Sequence, residues 1–375
     1  MMRVLITGGA GFIGTHLSRR LVAGGHFVRV LDNLSPQVHG ANPGWPAALP
    51  RQVECVLGDV RDSVMLRNAM VGQQVIIHLA AETGTGQSMY AVRRYEEVNV
   101  GGTAALLDLL VNELPRTVER VVVASSRAVY GEGRYRCEAH GVVYPGARNA
   151  ADLARGDFDV HCPLCRAICL LEPTDESAQL SPASFYGLTK QMQEQMVLMF
   201  GRVLGIPSLA LRFQNVYGPG QSLINPYTGI LSVFFNAASA GDELNVFEDG
   251  RAARDFVYID DVVEAVVRSI EVPVDSPVVL NVGSGLGTTI LEMAHLMVRL
   301  LDSRSPVRVS GNYRIGDIRS NVADLVRARA VLAFQPGWAL EDGLSCYLEW
   351  AGAQPRLDNR YGASVAEMRA RGLLR

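Results

Sequence analysis

The sequence predicts an α/β protein, with a doubly wound parallel sheet and a smaller C-terminal α/β domain beyond it. Three observations carry this. Short runs rich in β-branched residues alternate with helical patterns from the N-terminus to Ser125. The strand-like runs are apolar almost throughout, as in a sheet covered on both faces. A glycine-rich turn, Thr7-Gly8-Gly9-Ala10-Gly11-Phe12-Ile13-Gly14, joins the first of these runs to the first helical pattern.

In chain order, Val4–Thr7, Phe27–Asp32, Val53–Leu57, Val75–Leu79 and Arg120–Ser125 are expected as strands. Between them Ile13–Ala23, closed by Gly24 and Gly25, Ser63–Met70 and Asn99–Leu110 have helical spacing. Residues 134–172 break the rhythm: they are rich in Gly, Arg and Cys, hold no sustained period, and are expected to be an insertion. A helix over Ser184–Val203 and a strand over Ser208–Phe213 follow, then short mixed elements around turns such as Gly218-Pro219-Gly220. The C-terminal stretch is polar and Arg-rich and reads either as a frayed tail or as a packing arm.

The composition narrows the partners. With 35 basic and 38 acidic side chains in 375 residues, the net charge of −3 leaves no footprint for nucleic acid or an anionic membrane. No signal peptide or membrane-spanning run is expected, so the chain reads as cytoplasmic. Six cysteines at this length do not make a disulfide scaffold.

Glycines at 8, 11 and 14 allow a tight turn, close approach of backbone to a pyrophosphate, and close packing of helix on strand. The phosphates would meet the unpaired N–H groups at the helix N-terminus. Asp32 closes the second strand, one helix downstream of the glycine turn. A carboxylate there can accept both ribose hydroxyls of NAD and would repel a 2′-phosphate, so NAD is the expected cofactor. Asp59 and Val60 follow the third strand, where a carboxylate either meets the adenine amino group or caps a turn.

Tyr186 and Lys190 lie four apart on the long helix, so both project from one face. An unperturbed tyrosine, with pKa near 10, is a poor base at neutral pH. A neighbouring ammonium and a positive nicotinamide would favour the phenolate. The preceding strand ends in the hydroxyl pair Ser125-Ser126, at the carboxyl edge where such sheets bind ligands.

These features resemble the extended short-chain dehydrogenase/reductase family, in its branch of NAD-dependent nucleotide-sugar epimerases, dehydratases and reductases. The resemblance runs from Thr7–Gly14 through Gly58-Asp59-Val60, His78-Leu79-Ala80-Ala81, Asn99-Val100-Gly101-Gly102-Thr103, Ser125 to Gly131, and Tyr186-x-x-x-Lys190. It continues through Asn215 to Gly220, Arg254-Asp255-Phe256-Val257, Asn281 to Gly285 and Arg314-Ile315-Gly316-Asp317. It implies a Rossmann-type domain from residues 1–210 and 255–285, interrupted by the 134–172 insert. A nucleotide-sugar domain would take 211–254 and 286–375.

By position, the resemblance makes Tyr186 the catalytic base, Lys190 its partner on the nicotinamide ribose, and Ser126 the hydroxyl on the reacting sugar oxygen. Gly8, Gly11, Phe12, Ile13, Gly14, Asp32, Asn33, Asp59, Val60, Leu79, Ala80, Ala81 and Asn99 would line the cofactor with Tyr186 and Lys190. Asn215, Arg254, Arg314 and Asp317 would sit near the substrate diphosphate, which guanidinium forks pair with bidentately.

In the family's 4,6-dehydratases the Ser126 position is followed by Asp-Glu, whereas Arg127-Ala128 stands here. Dehydration is therefore disfavoured. This leaves C4 epimerisation with recycled NAD, or net reduction of a 4-keto sugar by NAD(P)H; Asp32 favours the first. The segment Gly220 to Gly229 and the Cys-rich insert are similar to a subgroup that includes dTDP-L-rhamnose 4-epimerases, with UDP-hexoses the next choice of substrate. A non-catalytic NAD-binding interaction module would lack the tyrosine, lysine or hydroxyl, and all three are present.

Within the insert, Cys137-x-x-His140 and Cys162-x-x-Cys165 form two pairs, separated by the segment 141–161. Three thiolates and an imidazole match a closed structural zinc site, with His161 and Cys169 as spare ligands; the plain alternative is a loop with ordinary cysteines. The resemblance also implies a homodimer through two packed helices per subunit, one of them the Tyr186 helix.

Overall fold

The computed structural model of the chain describes residues 1–40, 43–113, 117–223, 225, 229–355 and 361–375. The sequence segment 220–229 lies partly outside the described residues, since 224 and 226–228 are not among them. Seven parallel strands make the central sheet: β1 (Arg3–Thr7), β2 (Phe27–Asp32), β3 (Glu54–Leu57), β4 (Val75–His78), β5 (Arg120–Ser126), β6 (Ser208–Phe213) and β7 (Val278–Val282). Their order is β7-β6-β5-β4-β1-β2-β3, with every pair parallel. This is the Rossmann-type doubly wound sheet that the sequence predicts. The order reverses between β1 and β4, and a crevice opens at such a switch point outside the carboxyl ends of the strands.

The apolar strands are explained by their two faces. Val4 and Ile6 of β1 join one core cluster while Leu5, between them, joins the other. Val122 and its neighbours Val121 and Val123 in β5 divide the same way. Helices α1 (Phe12–Ala23) and α3 (Ile259–Glu271) cover the first face; α2 (Phe185–Leu204) covers the second, with the helices 63–70 and 102–112. Burying a Val, Leu or Ile side chain contributes about 1.5–3 kcal/mol, so both faces reward an unbroken apolar run.

Two local details differ from the expected elements. The stretch expected as one helix from Asn99 begins as a π-helical turn over Glu96–Gly101 and becomes α-helical at Gly102. Strand Ala253–Tyr258, which runs into the stretch 255–285 expected in the Rossmann-type domain, pairs with Asn215–Tyr217 and Gly287–Thr289 in a separate three-stranded sheet.

The insert is folded. Tyr135–Cys137, Gly141–Val143 and Leu170–Leu171 form a small antiparallel sheet over a cluster of Tyr135, Cys137, Val143, Val160, Cys162 and Cys169. Its Leu153 and Phe158 pack on Tyr313. The chain's last residues are a packing arm: the backbone N–H groups of Tyr313 and Ile315 donate to the carbonyls of Arg375 and Leu373, and Leu374 is buried.

Candidate active site

A cavity of about 900 Å³ lies over the carboxyl ends of β1, β2, β4, β5 and β6. At one end the glycine turn makes its floor. Gly8 has φ of +70°, and a Cβ there would stand 2.7 Å from the Ala80 nitrogen. At Gly14 a Cβ would stand 2.6 Å from the Gly9 Cα. Side chains at either place would break the turn. The N-cap of α1 is Gly11, which offers no side-chain acceptor, so the first-turn N–H groups face the cavity free for an anion.

Asp32 holds this cradle in shape. Its two carboxylate oxygens accept the N–H groups of Ala10 at 3.0 Å and Leu34 at 2.9 Å, and the residue still lines the cavity. Phe12, Ile13, Asn33, Asp59, Val60, Leu79, Ala80 and Ala81 line the same end. Asp59 is engaged by Arg61 and by the Asn33 amide, and the Arg61 guanidinium holds its carboxyl down at about 2. The open N–H groups, the space the glycines keep clear and the carboxylate at the end of β2 together fit a dinucleotide.

Tyr186 and Lys190 project from α2 into the middle of the cavity, opposite Ser126 at the end of β5. Ser126 and Tyr186 line the same stretch of the cavity, and Tyr95 meets the phenol ring edge-on, with centroids 6.4 Å apart. Ser125 has a different job. Its hydroxyl donates to Glu194 at 2.6 Å, and Glu194 is paired with Arg212 in the buried interior. Lys190 Nζ donates to the Ala124 carbonyl at 2.9 Å. Burial pulls the ammonium down to about 7. Burial pushes the phenol up, opposed by neighbouring Ser126 and by the charge of Arg127. The sequence assigns that electrostatic help to Lys190. In this structure the Lys190 amine donates to a backbone carbonyl, and Arg127 is a further positive group lining the same cavity.

At the far end stand Asn215, Arg254, Arg314 and Asp317. Arg254 spends its Nη groups on the carbonyls of Ala253, Ile318 and Arg319 and on Asp317. Arg314 lies over the Phe247 ring at 5.0 Å, and among the described residues its buried Nε has no partner.

Comparison with known proteins decides the family. The model of the NAD dependent epimerase/dehydratase family matches residues 4–146 and 168–283. The chain belongs to that family. It is 40% identical, over 93% of its length and 94% of the relative's, to a dTDP-L-rhamnose 4-epimerase of Burkholderia thailandensis. Among solved structures it resembles a Thermotoga maritima UDP-glucose 4-epimerase with UDP-glucose, at a TM-score of 0.75 and 28% identity, covering 94% of this chain and 99% of that one. It also resembles MoeE5 in complex with UDP-glucuronic acid and NAD, at a TM-score of 0.73 and 30% identity, covering 93% and 99%.

One expected cofactor residue is corrected. Asn99 does not line the cavity: it is fully buried, and its amide bonds Glu82 and Thr189, tying the 80–84 loop to α2. Two features were missed. Arg127, which the sequence presents only as a missing acid, reaches the cavity and donates from Nε to Asn215 at 2.7 Å. Arg148, in the stretch that the family model passes over, has a side chain 4% exposed and bonds Glu248 twice and the Asp317 carbonyl, beside Glu132. No local pattern marks either residue. In the same insert the ligand atoms of Cys137, His140, Cys162 and Cys165 lie within 4.8 Å of one another. The spare candidates do not join them: His161 bonds Asp157 and the Arg166 carbonyl, and Cys169 the Ala167 carbonyl.

Proposed function

We propose that this chain is an NAD-dependent 4-epimerase of nucleoside-diphosphate sugars, with dTDP-L-rhamnose as the first substrate to test and UDP-hexoses as the next. The observation that carries this is that one cavity holds Tyr186, Lys190 and Ser126 beside the glycine cradle. Bound NAD supplies reversible two-electron oxidation of the C4 alcohol. Gly8, Gly11, Gly14 and the first turn of α1 hold its pyrophosphate, and Asp32 its ribose hydroxyls. As a phenolate, Tyr186 takes the proton from the C4 hydroxyl while Ser126 holds that oxygen. Lys190 stays on the ribose side of the tyrosine. Arg314 and Asn215 keep the diphosphate, and Arg254, whose Nη groups are held by carbonyls and Asp317, adds its charge and its Nε. With the diphosphate anchored, the 4-keto sugar turns over, and the same tyrosine returns the proton after reduction on the opposite face. Arg127-Ala128 leaves no carboxylate beside Ser126 to expel a hydroxyl, which supports epimerisation over dehydration.

The test is redox balance. Purified protein given dTDP-L-rhamnose or UDP-glucose, with no reductant added, should equilibrate the two C4 epimers, followed by NMR of the sugar H4. Product formed only with stoichiometric consumption of NADPH would make the enzyme a 4-keto-sugar reductase.

The reading includes a structural zinc at Cys137, His140, Cys162 and Cys165. Tetrahedral zinc with Zn–S bonds of about 2.3 Å separates its sulfurs by about 3.7 Å. Cys137 and Cys165 are 3.6 Å apart, and His140 Nδ1 is 3.6 Å from both Cys137 and Cys162. Zinc content should approach one per chain in untagged protein and fall to zero in a Cys162→Ser/Cys165→Ser variant; no zinc in either would end the idea. The reading also includes a homodimer. Leu188, Met192, Met199 and Val203 are exposed along one face of α2, an apolar stripe suited to a matching helix of a second copy. The free thiols suit a reducing, cytoplasmic compartment.

A further inference from the structure

Arg127 lines the cavity, but the chemistry above gives its guanidinium no contact with substrate. It opens a short turn, Arg127–Val129, immediately after Ser126. Its Nε donates to Asn215 at 2.7 Å, which fixes the plane of the guanidinium. Among the described residues its two Nη groups have no hydrogen-bond partner. Arg254, by contrast, has its Nη groups taken up by carbonyls and Asp317. A tethered guanidinium with an unspent fork, between the proton-transfer pair and the diphosphate anchors, is a ready donor to whatever lies between them.

We infer that Arg127 is a further catalytic residue that touches the sugar, its free fork donating to ring oxygens between Tyr186 and the diphosphate anchors. This rests on the epimerase reading. When C4 is oxidised, its oxygen changes from a hydroxyl, which can donate and accept, to a carbonyl, which can only accept. A carboxylate neighbour would lose its partner at that step. An arginine has only donors, so it serves hydroxyl and carbonyl alike and tolerates either orientation of the turned ring. Its charge also favours the Tyr186 phenolate from the substrate side, and although burial pulls it to about 10 it stays charged at neutral pH.

The experiment compares Arg127→Met and Arg127→Lys with wild type in two measurements. Calorimetric titration with the nucleotide sugar that wild type turns over, and with the matching nucleoside diphosphate alone, separates sugar from anchor. Arg127→Met should weaken the sugar nucleotide about tenfold and the diphosphate less than twofold. The acid limb of its kcat–pH profile should move upward by about one unit, with Arg127→Lys recovering part of both effects. Equal weakening of both ligands, or wild-type binding and pH profile in Arg127→Met, would overturn the assignment. Wild-type protein that binds a sugar nucleotide without epimerising it would sink the epimerase reading instead, and the binding difference would still decide whether Arg127 touches the sugar. Wild type that binds no sugar nucleotide would overturn both.

Discussion

Lys190 Nζ donates to the carbonyl oxygen of Ala124 at 2.9 Å, which pins helix α2 to the strand that ends in Ser126. The pin brings Tyr186 and Ser126 into one cavity, so the proton-transfer pair is assembled by contacts between elements on either side of the whole insert.

The phenolate is the working form, and burial pushes the Tyr186 phenol up. Activity should therefore rise with pH through the neutral range and beyond it, as the small phenolate fraction grows. Tyr186→Phe should lower kcat by about 10²–10⁴-fold, the range for a general base, while co-purified NAD is retained. Steady-state rates and cofactor content measured on the same preparation check both halves; unchanged kcat would remove Tyr186 from the chemistry.

Glu132 gives a pH signature in stability. It is 2% exposed, and burial pushes its carboxyl from 4.5 to about 7, against the pull of Arg148. The folded chain therefore binds the extra proton where the unfolded chain has released it. This stabilisation is complete below about pH 4.5 and is lost as pH rises through about 7, up to about 3 kcal/mol. Glu132→Gln should flatten the fall in stability between pH 5 and pH 8 in urea titrations. An unchanged slope would count against it.

Metal removal should act on the substrate rather than on the cofactor. The insert supplies Arg148, which bonds Glu248 and the Asp317 carbonyl, and Phe158, which packs on Tyr313 beside Arg314. Chelation, or Cys162→Ser/Cys165→Ser, should raise KM for the nucleotide sugar several-fold with NAD affinity unchanged. Parallel loss of NAD binding would point to general unfolding.

Charges on the apolar face of α2 should separate the subunits. Met199→Glu with Val203→Glu, both exposed and clear of the cavity, is expected to give a monomer in light scattering with its far-UV circular dichroism intact. A wild-type chain that is itself monomeric at micromolar concentration would refute the dimer.

Breaking the buried pair beneath Ser125 should be costly. Glu194 and Arg212 have side chains only 3% exposed, and removing one charge leaves the other unpaired in the interior. Glu194→Gln should cost about 3–5 kcal/mol in chemical unfolding; a loss below about 1 kcal/mol would mean that the amide or water replaces the pair.

The sequence by itself determined what depends on neighbours along the chain. Doubly covered strands require unbroken apolar runs, a tight phosphate turn requires Gly8 and Gly14, and the four-residue spacing of Tyr186 and Lys190 sets both on one helical face. Tertiary structure decided everything that depends on meetings across the fold. It turned Ser125 inward to Glu194 and left Ser126 to the cavity. It buried Asn99 as a clamp, brought Arg127 into the cavity that holds Tyr186, and set the insert's Arg148 against Glu248 of the distant C-terminal half. A polar side chain carries no periodic signal of its partner, and its task follows from where the packed backbone delivers it.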